Sequence, residues 1–143
     1  MDAGGLRTYT TRWRVRTYEL DANGHVNNAV YVAYAEEVAN QHAEALGFGR
    51  AWTQEQAGAW VVRRHEITYF REATYGAELE LTTEVEEMRG ARAIRKTVIR
   101  LVEGGGLVVE MRTEWVWIRL VDRRPSRIPQ DALAAFGGRS LAD

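Results

Sequence analysis

The sequence contains no cysteine among its 143 residues. A disulfide framework, a thiol nucleophile and a cysteine-ligated zinc or iron–sulfur centre are therefore excluded. A chain of this length can bury about two thirds of the surface that its unfolded form exposes, so it needs no covalent staple in order to fold. The lack of cysteine also fits a reducing compartment, and we expect a cytoplasmic protein.

The sequence also lacks an excess of charge of either sign, because 19 basic and 20 acidic residues leave a formal net charge of -1. Proteins that bind nucleic acid or anionic membranes normally carry a basic excess, so we expect neither partner. No uncharged apolar run approaches the roughly 20 residues that a membrane span requires. The first residues show no basic region followed by an apolar stretch, so we expect no secretion signal.

Sequence signatures of cofactor and metal binding are missing as well. Neither of the glycine-rich phosphate loops, Gly-x-x-x-x-Gly-Lys and Gly-x-Gly-x-x-Gly, occurs in the chain. The three histidines, His25, His42 and His65, do not have the His-x-x-x-His spacing of a metal site. We therefore expect no cofactor and no metal, and we expect His42 and His65 to serve packing or solvent contacts.

A long helix is the central structural prediction. From residue 29 to about residue 46, alanine recurs among valine, tyrosine and glutamate. The helix is predicted to begin at Asn27 or Asn28 as its N-cap and to end at Gly47. Its first half carries no charged side chain, and this predicts that the first half is buried on every side.

The remaining patterns predict strands. Residues 12–19 alternate with the period of two that is typical of a half-buried strand. Glycine-containing connections at residues 89–91 and 104–106 predict hairpins. The strands predicted after the long helix cover residues 60–70, 77–88, 92–102 and 107–121, and short helices are expected at residues 51–56 and 130–136.

These elements predict a single α+β domain in which a long central helix is wrapped by an antiparallel five-stranded sheet. We expect the whole chain, residues 1–143, to form this domain, with a core of about residues 11–121 and an irregular C-terminal tail of residues 122–143. Such a sheet leaves open edge strands. Because the last strand is long and rich in tryptophan, we expect a homodimer or homotetramer that continues the sheet or packs helix against helix.

Polar residues are concentrated in the segment Asp21-Ala-Asn-Gly-His-Val-Asn-Asn28, between the first strand and the helix. With Tyr31, this segment resembles the signature Asp-x-x-Gly-His-Val-Asn-Asn-x-x-Tyr of the hot-dog thioesterases. The resemblance extends to the 4-hydroxybenzoyl-CoA thioesterase-like acyl-CoA hydrolases and to the acyl-ACP thioesterases. Residues 67–76 resemble, more weakly, a second segment of that family. Because the His-Val-Asn-Asn run is more typical of the acyl-ACP branch, the carrier stays open between CoA and ACP.

Thioester hydrolysis needs a nucleophile or base and donors for the oxyanion that forms on the carbonyl. Asp21 is a carboxylate between a strand and a buried helix, where it can attack the thioester directly or act as the base for water. Without the rest of the signature, an aspartate before Asn-Gly is more often only a turn residue. At the helix start, the backbone N–H of Asn28 lacks an intrahelical partner and suits an oxyanion.

The resemblance implies further site residues. In the acyl-ACP branch a matching Asp-x-Asn-x-His set acts with a distant glutamate, and the matching residues here are Asn23, His25 and Glu72. Glu72 is expected either to orient the imidazole of His25, to activate water itself, or merely to pair with Arg71 in solvent. We also place Gly24 and Tyr31, with Asn28, among the residues that bind the substrate or the oxyanion.

The predicted function is therefore hydrolysis of an acyl-CoA or acyl-ACP thioester to a free acid and the carrier thiol. The alternatives are a noncatalytic acyl-CoA-binding module and a hot-dog enoyl-CoA hydratase or dehydratase.

A basic segment is a weaker indication of where a substrate binds. Its side chains are expected to form a solvated strand face or, alternatively, a clamp for the CoA phosphates; they are Arg89, Arg92, Arg95, Lys96 and Arg100.

Overall fold

The computed structural model describes residues 7–137 of the chain. One strand and a short 3-10 turn, Thr17–Glu19, precede the long helix, and four strands follow it. The strands are β1 (Thr8–Arg14), β2 (Gly58–Tyr69), β3 (Glu78–Arg89), β4 (Arg92–Leu101) and β5 (Leu107–Arg119), and the helices are α1 (Asn28–Ala45), α2 (Arg50–Glu55) and α3 (Gln130–Ala135).

The five strands form one antiparallel sheet in the order β1-β3-β4-β5-β2. Helix α1 packs on one face of this sheet, where alternate side chains of β3 such as Leu79 and Leu81 are fully buried. The predicted α+β fold, with one long helix against five antiparallel strands, is confirmed. The hairpins predicted at residues 89–91 and 104–106 are confirmed too, because they join β3 to β4 and β4 to β5.

The first predicted strand is too long at its C-terminal end. It ends at Arg14, and the chain then turns through the 3-10 segment Thr17–Glu19 instead of continuing to residue 19. The turn forms because the carboxylate of Glu19 accepts the backbone N–H of Arg16 at 2.7 Å and also its guanidinium at 3.2 Å. An alternating pattern cannot reveal a side chain that bonds to its own backbone.

The position of β5 in the sheet bears on the expected contact between chains. Strand β5, which is rich in tryptophan, lies inside the sheet between β4 and β2, so it is not an edge. Among residues 7–137, the edge strands are β1 and β2, and β2 pairs only with β5 along its length from Gly58 to Tyr69. An open edge of the kind that invites a second chain is thus present, but on β2 instead of β5.

Two predictions about burial are also wrong. The first half of α1 is not buried on every side, because Ala29 and Ala33 are exposed while Tyr31 and Tyr34 are buried. The core does not stop at residue 121. Apolar side chains of the C-terminal tail, among them Phe136, pack into a second buried cluster around Trp52 and Trp117. Within residues 7–137, no helix is long and apolar enough to cross a membrane.

The basic segment divides between the two faces of β4. The side chains of Arg92 and Lys96 lie on the outer face, where they pair with Glu114 at 2.6 Å and with Glu110 at 3.7 Å. For these residues the prediction of a solvated strand face is confirmed. For Arg95 it is wrong, because this side chain points towards α1 and is only 9% exposed.

Candidate active site

Asp21 begins a tight turn directly before α1, and its own side chain closes that turn. The carboxylate atom Oδ1 accepts the backbone N–H of Asn23 at 2.8 Å and that of His25 at 3.1 Å. The backbone N–H of Asp21 donates to the carbonyl of His25 at 2.7 Å. Asp21 is exposed, and its second oxygen, Oδ2, has no hydrogen-bond partner in residues 7–137. One oxygen therefore fixes the carboxylate, and the other is open to a ligand.

The two sequence segments singled out above meet in the fold. The backbone N–H of Val26 donates to the carbonyl of Ala73 at 2.9 Å, and His25 forms an antiparallel bridge with Thr74. This pairing brings Oε2 of Glu72 to 3.1 Å from Nε2 of His25. Glu72 does not pair with Arg71, whose Nε donates to the carbonyl of Leu107 at 2.9 Å.

The start of α1 leaves one backbone donor open. Asn27 is the N-cap: its side-chain oxygen accepts the N–H of Ala29 at 2.9 Å, and its carbonyl accepts that of Val30 at 2.8 Å. The N–H of Asn28, the first residue of the helix, donates to no described residue. An unpaired amide at the positive end of a helix is suited to an anion or to a developing oxyanion.

Tyr31 lies one turn further along the helix and is 2% exposed. Its hydroxyl is buried and donates no hydrogen bond to the described residues. Burial raises the pKa of Tyr31 to about 12, so the hydroxyl keeps its proton at neutral pH and remains a donor. The ring of Tyr69 packs 5.9 Å from that of Tyr31, and the hydroxyl of Tyr69 donates to the carbonyl of Asn28 at 3.1 Å.

Two of the predicted site residues, Gly24 and Asn23, take part in the turn through their backbone N–H groups. Gly24 has a φ of +80°, a conformation that side chains rarely adopt, and its N–H donates to the carbonyl of Asp21 at 3.1 Å. The amide of Gly24 is thus occupied, and its contribution is to the shape of the loop. Asn23 is exposed, and its side chain forms no hydrogen bond within residues 7–137.

A buried carboxylate behind the turn was not predicted from the sequence. Glu19 is 7% exposed, and its Oε1 accepts the hydroxyl of Tyr34 at 2.6 Å as well as the N–H of Arg16. Burial and the carboxylate of Glu19 raise the pKa of Tyr34. The carbonyl of Glu19 accepts the N–H of Asn27 at 2.9 Å. Glu19 therefore links the loop that holds Asp21 to helix α1. The sequence signal that could have indicated this role is the three-residue spacing of Arg16 and Glu19.

Replacing Glu19 by glutamine is expected to lower the free energy of unfolding by about 1.5–3 kcal/mol, because the bonds from Arg16 and Tyr34 lose their charge assistance and an NH2 group replaces the oxygen that pairs with the guanidinium of Arg16. Chemical denaturation with a circular-dichroism readout measures this change. The control is Glu103→Gln, which alters an exposed side chain in the turn between β4 and β5 and should change stability by less than about 0.5 kcal/mol. Equal losses in the two variants would contradict the bracing role of Glu19.

Residues 7–137 contain no group of three or more His, Asp or Glu side chains that could hold a metal ion. The polar groups that the fold brings together are instead a carboxylate, an imidazole paired with a second carboxylate, and a free amide at the start of a helix. This combination suits acid–base chemistry at an acyl carbonyl.

The fold and this site together define a hot-dog domain of the thioesterase type, and sequence comparison assigns the family. The model of the Thioesterase-like superfamily matches residues 15–136. The chain belongs to that superfamily. The matched region includes both the signature loop and the C-terminal helix α3.

Individual relatives agree with this assignment. The chain is similar to the long-chain acyl-CoA thioesterase FadM of Escherichia coli, with 32% identity over 77% of this chain and 83% of the relative. It is also similar to the acyl-CoA thioester hydrolase YbgC of Escherichia coli, with 29% identity over 92% of this chain and 98% of the relative. In fold it resembles a 1,4-dihydroxy-2-naphthoyl-CoA thioesterase from Synechocystis, with a TM-score of 0.84, 19% identity and coverage of 91% and 96%.

Proposed function

We propose that the protein hydrolyses an acyl-CoA or acyl-ACP thioester at the turn formed by residues 21–28. The chain is a thioester-hydrolysing enzyme, as its family and its named relatives indicate. One observation carries the assignment of the site: the carboxylate of Asp21 is fixed through one oxygen and open at the other, beside a helix start whose first amide has no partner.

The reaction can follow either of two routes at Asp21. In the first, the carboxylate takes a proton from water while the water oxygen bonds to the acyl carbon. In the second, the carboxylate attacks the acyl carbon itself and forms a mixed anhydride, which water then cleaves. In both, the carbonyl oxygen becomes an oxyanion. The C–S bond breaks when the carbonyl forms again, and the sulfur leaves as a thiolate that takes a proton.

The other residues of the site serve the same two routes. The N–H of Asn28 donates to the oxyanion, at the end of the helix where the backbone dipole favours negative charge. The hydroxyl of Tyr31 is a second, protonated donor close to the same helix turn. The contact between His25 and Glu72 orients the imidazole, which then positions the substrate or the attacking water.

We further propose that two chains combine through the edge of β2 and the uncovered face of α1. Strand β2 offers an unpaired edge, and Ala29 and Ala33 leave the start of the helix exposed in the single chain. A dimer on this surface, or a tetramer built from such dimers, would cover both features. The cytoplasmic location stays a prediction from the sequence.

A thiol-release assay tests the proposed function directly. The purified protein should liberate CoA thiol from at least one member of a panel of short, long, branched and aromatic acyl-CoA thioesters, and an acyl-ACP arm separates the two carriers. Because the chain has no cysteine, the enzyme itself adds no thiol signal. Hydration of an enoyl-CoA without thiol release would overturn the proposal in favour of a hydratase. Tight acyl-CoA binding without any turnover would overturn it in favour of a binding module.

A further inference from the structure

A cavity lies between the C-terminal half of α1 and the sheet. Its walls are mostly apolar and aromatic, and they include Ala39, Ala43, Trp60, Trp115 and Phe136. Asn40 also lines the cavity. Along the helix it lies about 18 Å from Asn28, at the usual rise per residue. Within one chain, the cavity is therefore separate from the turn of Asp21.

The cavity is large enough to hold several atoms of a ligand. Its volume is about 50 Å³, several times the roughly 10–15 Å³ that one water molecule needs. The apolar lining offers few partners for water. An apolar group is therefore the better match for most of its surface.

One cationic side chain lies in the apolar lining of the cavity. Arg95 lines the cavity and is only 9% exposed. Its Nη1 donates to the hydroxyl of Thr83 at 3.0 Å and lies 2.9 Å from Nδ1 of His42, which must accept because a guanidinium has only donors. No Asp or Glu among residues 7–137 forms an ion pair with Arg95, and its Nε and Nη2 bond to none of those residues. Burial lowers the pKa of Arg95 to about 10, so the group stays charged at neutral pH.

A second unsatisfied donor lines the same cavity. The indole N–H of Trp115 is buried and has no partner among the described residues. Trp52, which also lines the cavity, differs because its indole N–H donates to the carboxylate of Asp131 at 3.1 Å. A buried charge without a counterion and a buried donor without an acceptor both cost free energy, and a bound anion would remove both costs.

We propose that this cavity binds an apolar carboxylic acid, with its carboxylate against Arg95 and Trp115 and its chain along the aromatic walls. A carboxylate fits better than a phosphate because Arg95 is the one charged residue that the described part of the chain, residues 7–137, places in the lining. Two oxygens of one carboxylate can meet two separate donors, and charge-assisted hydrogen bonds of this kind are strong. The ligand is either a free acid, which is the class of product that thioester cleavage releases, or the distal carboxylate of an acyl chain.

Calorimetric titration tests the proposal without any dependence on catalysis. Butanoate, hexanoate and octanoate are compared with the alcohols of the same lengths. For the best-fitting length, we expect the acid to bind at least tenfold more tightly than the alcohol. Arg95→Met should abolish this preference, while the matched variant Arg100→Met, on the exposed face of the same strand, should keep it. Equal binding of acid and alcohol, no binding of either, or unchanged binding by Arg95→Met would overturn the proposal.

A second variant tests the site even if Arg95→Met fails to fold. Replacing a buried ion by an apolar side chain is, however, often tolerated. Trp115→Phe keeps an aromatic ring but removes the N–H, and it should weaken binding of the acid several-fold without affecting the alcohol. Unchanged acid binding by this variant would remove Trp115 from the site.

Kinetic measurements distinguish the two possible sources of the carboxylate. This part of the test rests on the proposed function. The CoA monothioester of hexadecanedioic acid, whose chain is long enough to span from the turn of Asp21 to the cavity, is compared with hexadecanoyl-CoA. If the distal carboxylate of the acyl chain occupies the cavity, Arg95→Met raises KM for the dicarboxylic substrate alone. If a free acid occupies it, both KM values stay unchanged while calorimetry still shows the loss. Absence of turnover by the wild type would refute the proposed function and leave the titration result standing.

Discussion

Asp21→Asn is expected to lower kcat/KM for the best acyl thioester by about 10²–10⁴-fold, the usual contribution of a general base. An asparagine amide can neither take a proton from water nor form a mixed anhydride, so both routes proposed at this position fail together. The thiol-release assay measures the loss. Substrate binding should change little, because the amide has almost the same size and shape as the carboxylate.

The fold should survive this substitution. The oxygen of an asparagine side chain can still accept the backbone N–H groups of Asn23 and His25, which the aspartate accepts at 2.8 and 3.1 Å. The turn is thus preserved while the charge is removed. Asp122→Asn is the matched control, because Asp122 accepts the N–H of Arg124, two residues on, at 3.1 Å in a similar exposed turn. This control should retain full activity.

Near wild-type turnover by Asp21→Asn would reject Asp21 as the key carboxylate and would direct attention to Glu72, which lies 3.1 Å from His25. A loss of activity accompanied by a loss of folded structure would show a structural role for Asp21. The circular-dichroism spectrum of the same sample distinguishes that case from a loss confined to chemistry.

The sequence predicts the elements of the fold well because their signals are local. The alternation of Leu79 and Leu81 with glutamates marks β3, and the asparagines at residues 27–28 mark the start of α1. The order of the strands is less accessible. The pairing of β2 with β5 joins Gly58 to Arg119, residues far apart in the chain, and no local pattern specifies such a contact.

Parts of the polar network were also beyond local patterns. The signature loop and Glu72 were identified by resemblance, and the fold places Glu72 against His25. The buried roles of Glu19 and Arg95 could not be read in the same way. Arg95 sits in a run of exposed basic residues, and only the side of β4 that faces α1 distinguishes it from Lys96. Charged residues are normally exposed, so a pattern alone predicts exposure for both.

Asn28→Pro is expected to reduce kcat by about 10²–10³-fold, the usual cost of losing one oxyanion donor. The substitution deletes the backbone N–H that the helix start leaves open. It is well suited to this position, because Asn28 is the first residue of α1 and proline is favoured there, with a fixed φ near the helical value. Asn27 already has φ -60° and ψ 134°, an extended conformation that the residue before a proline readily adopts.

The control for the missing amide is Asn28→Ala, which loses the side chain but keeps the N–H. It should retain most of the activity, because the proposal rests on the backbone of Asn28. The carbonyl of Asn28, which accepts the hydroxyl of Tyr69 at 3.1 Å, remains in both variants. If the alanine variant were as slow as the proline variant, the asparagine side chain would be the functional group. If the folded proline variant were as fast as the wild type, the oxyanion would have to be held elsewhere, and the buried hydroxyl of Tyr31 would be the next donor to remove.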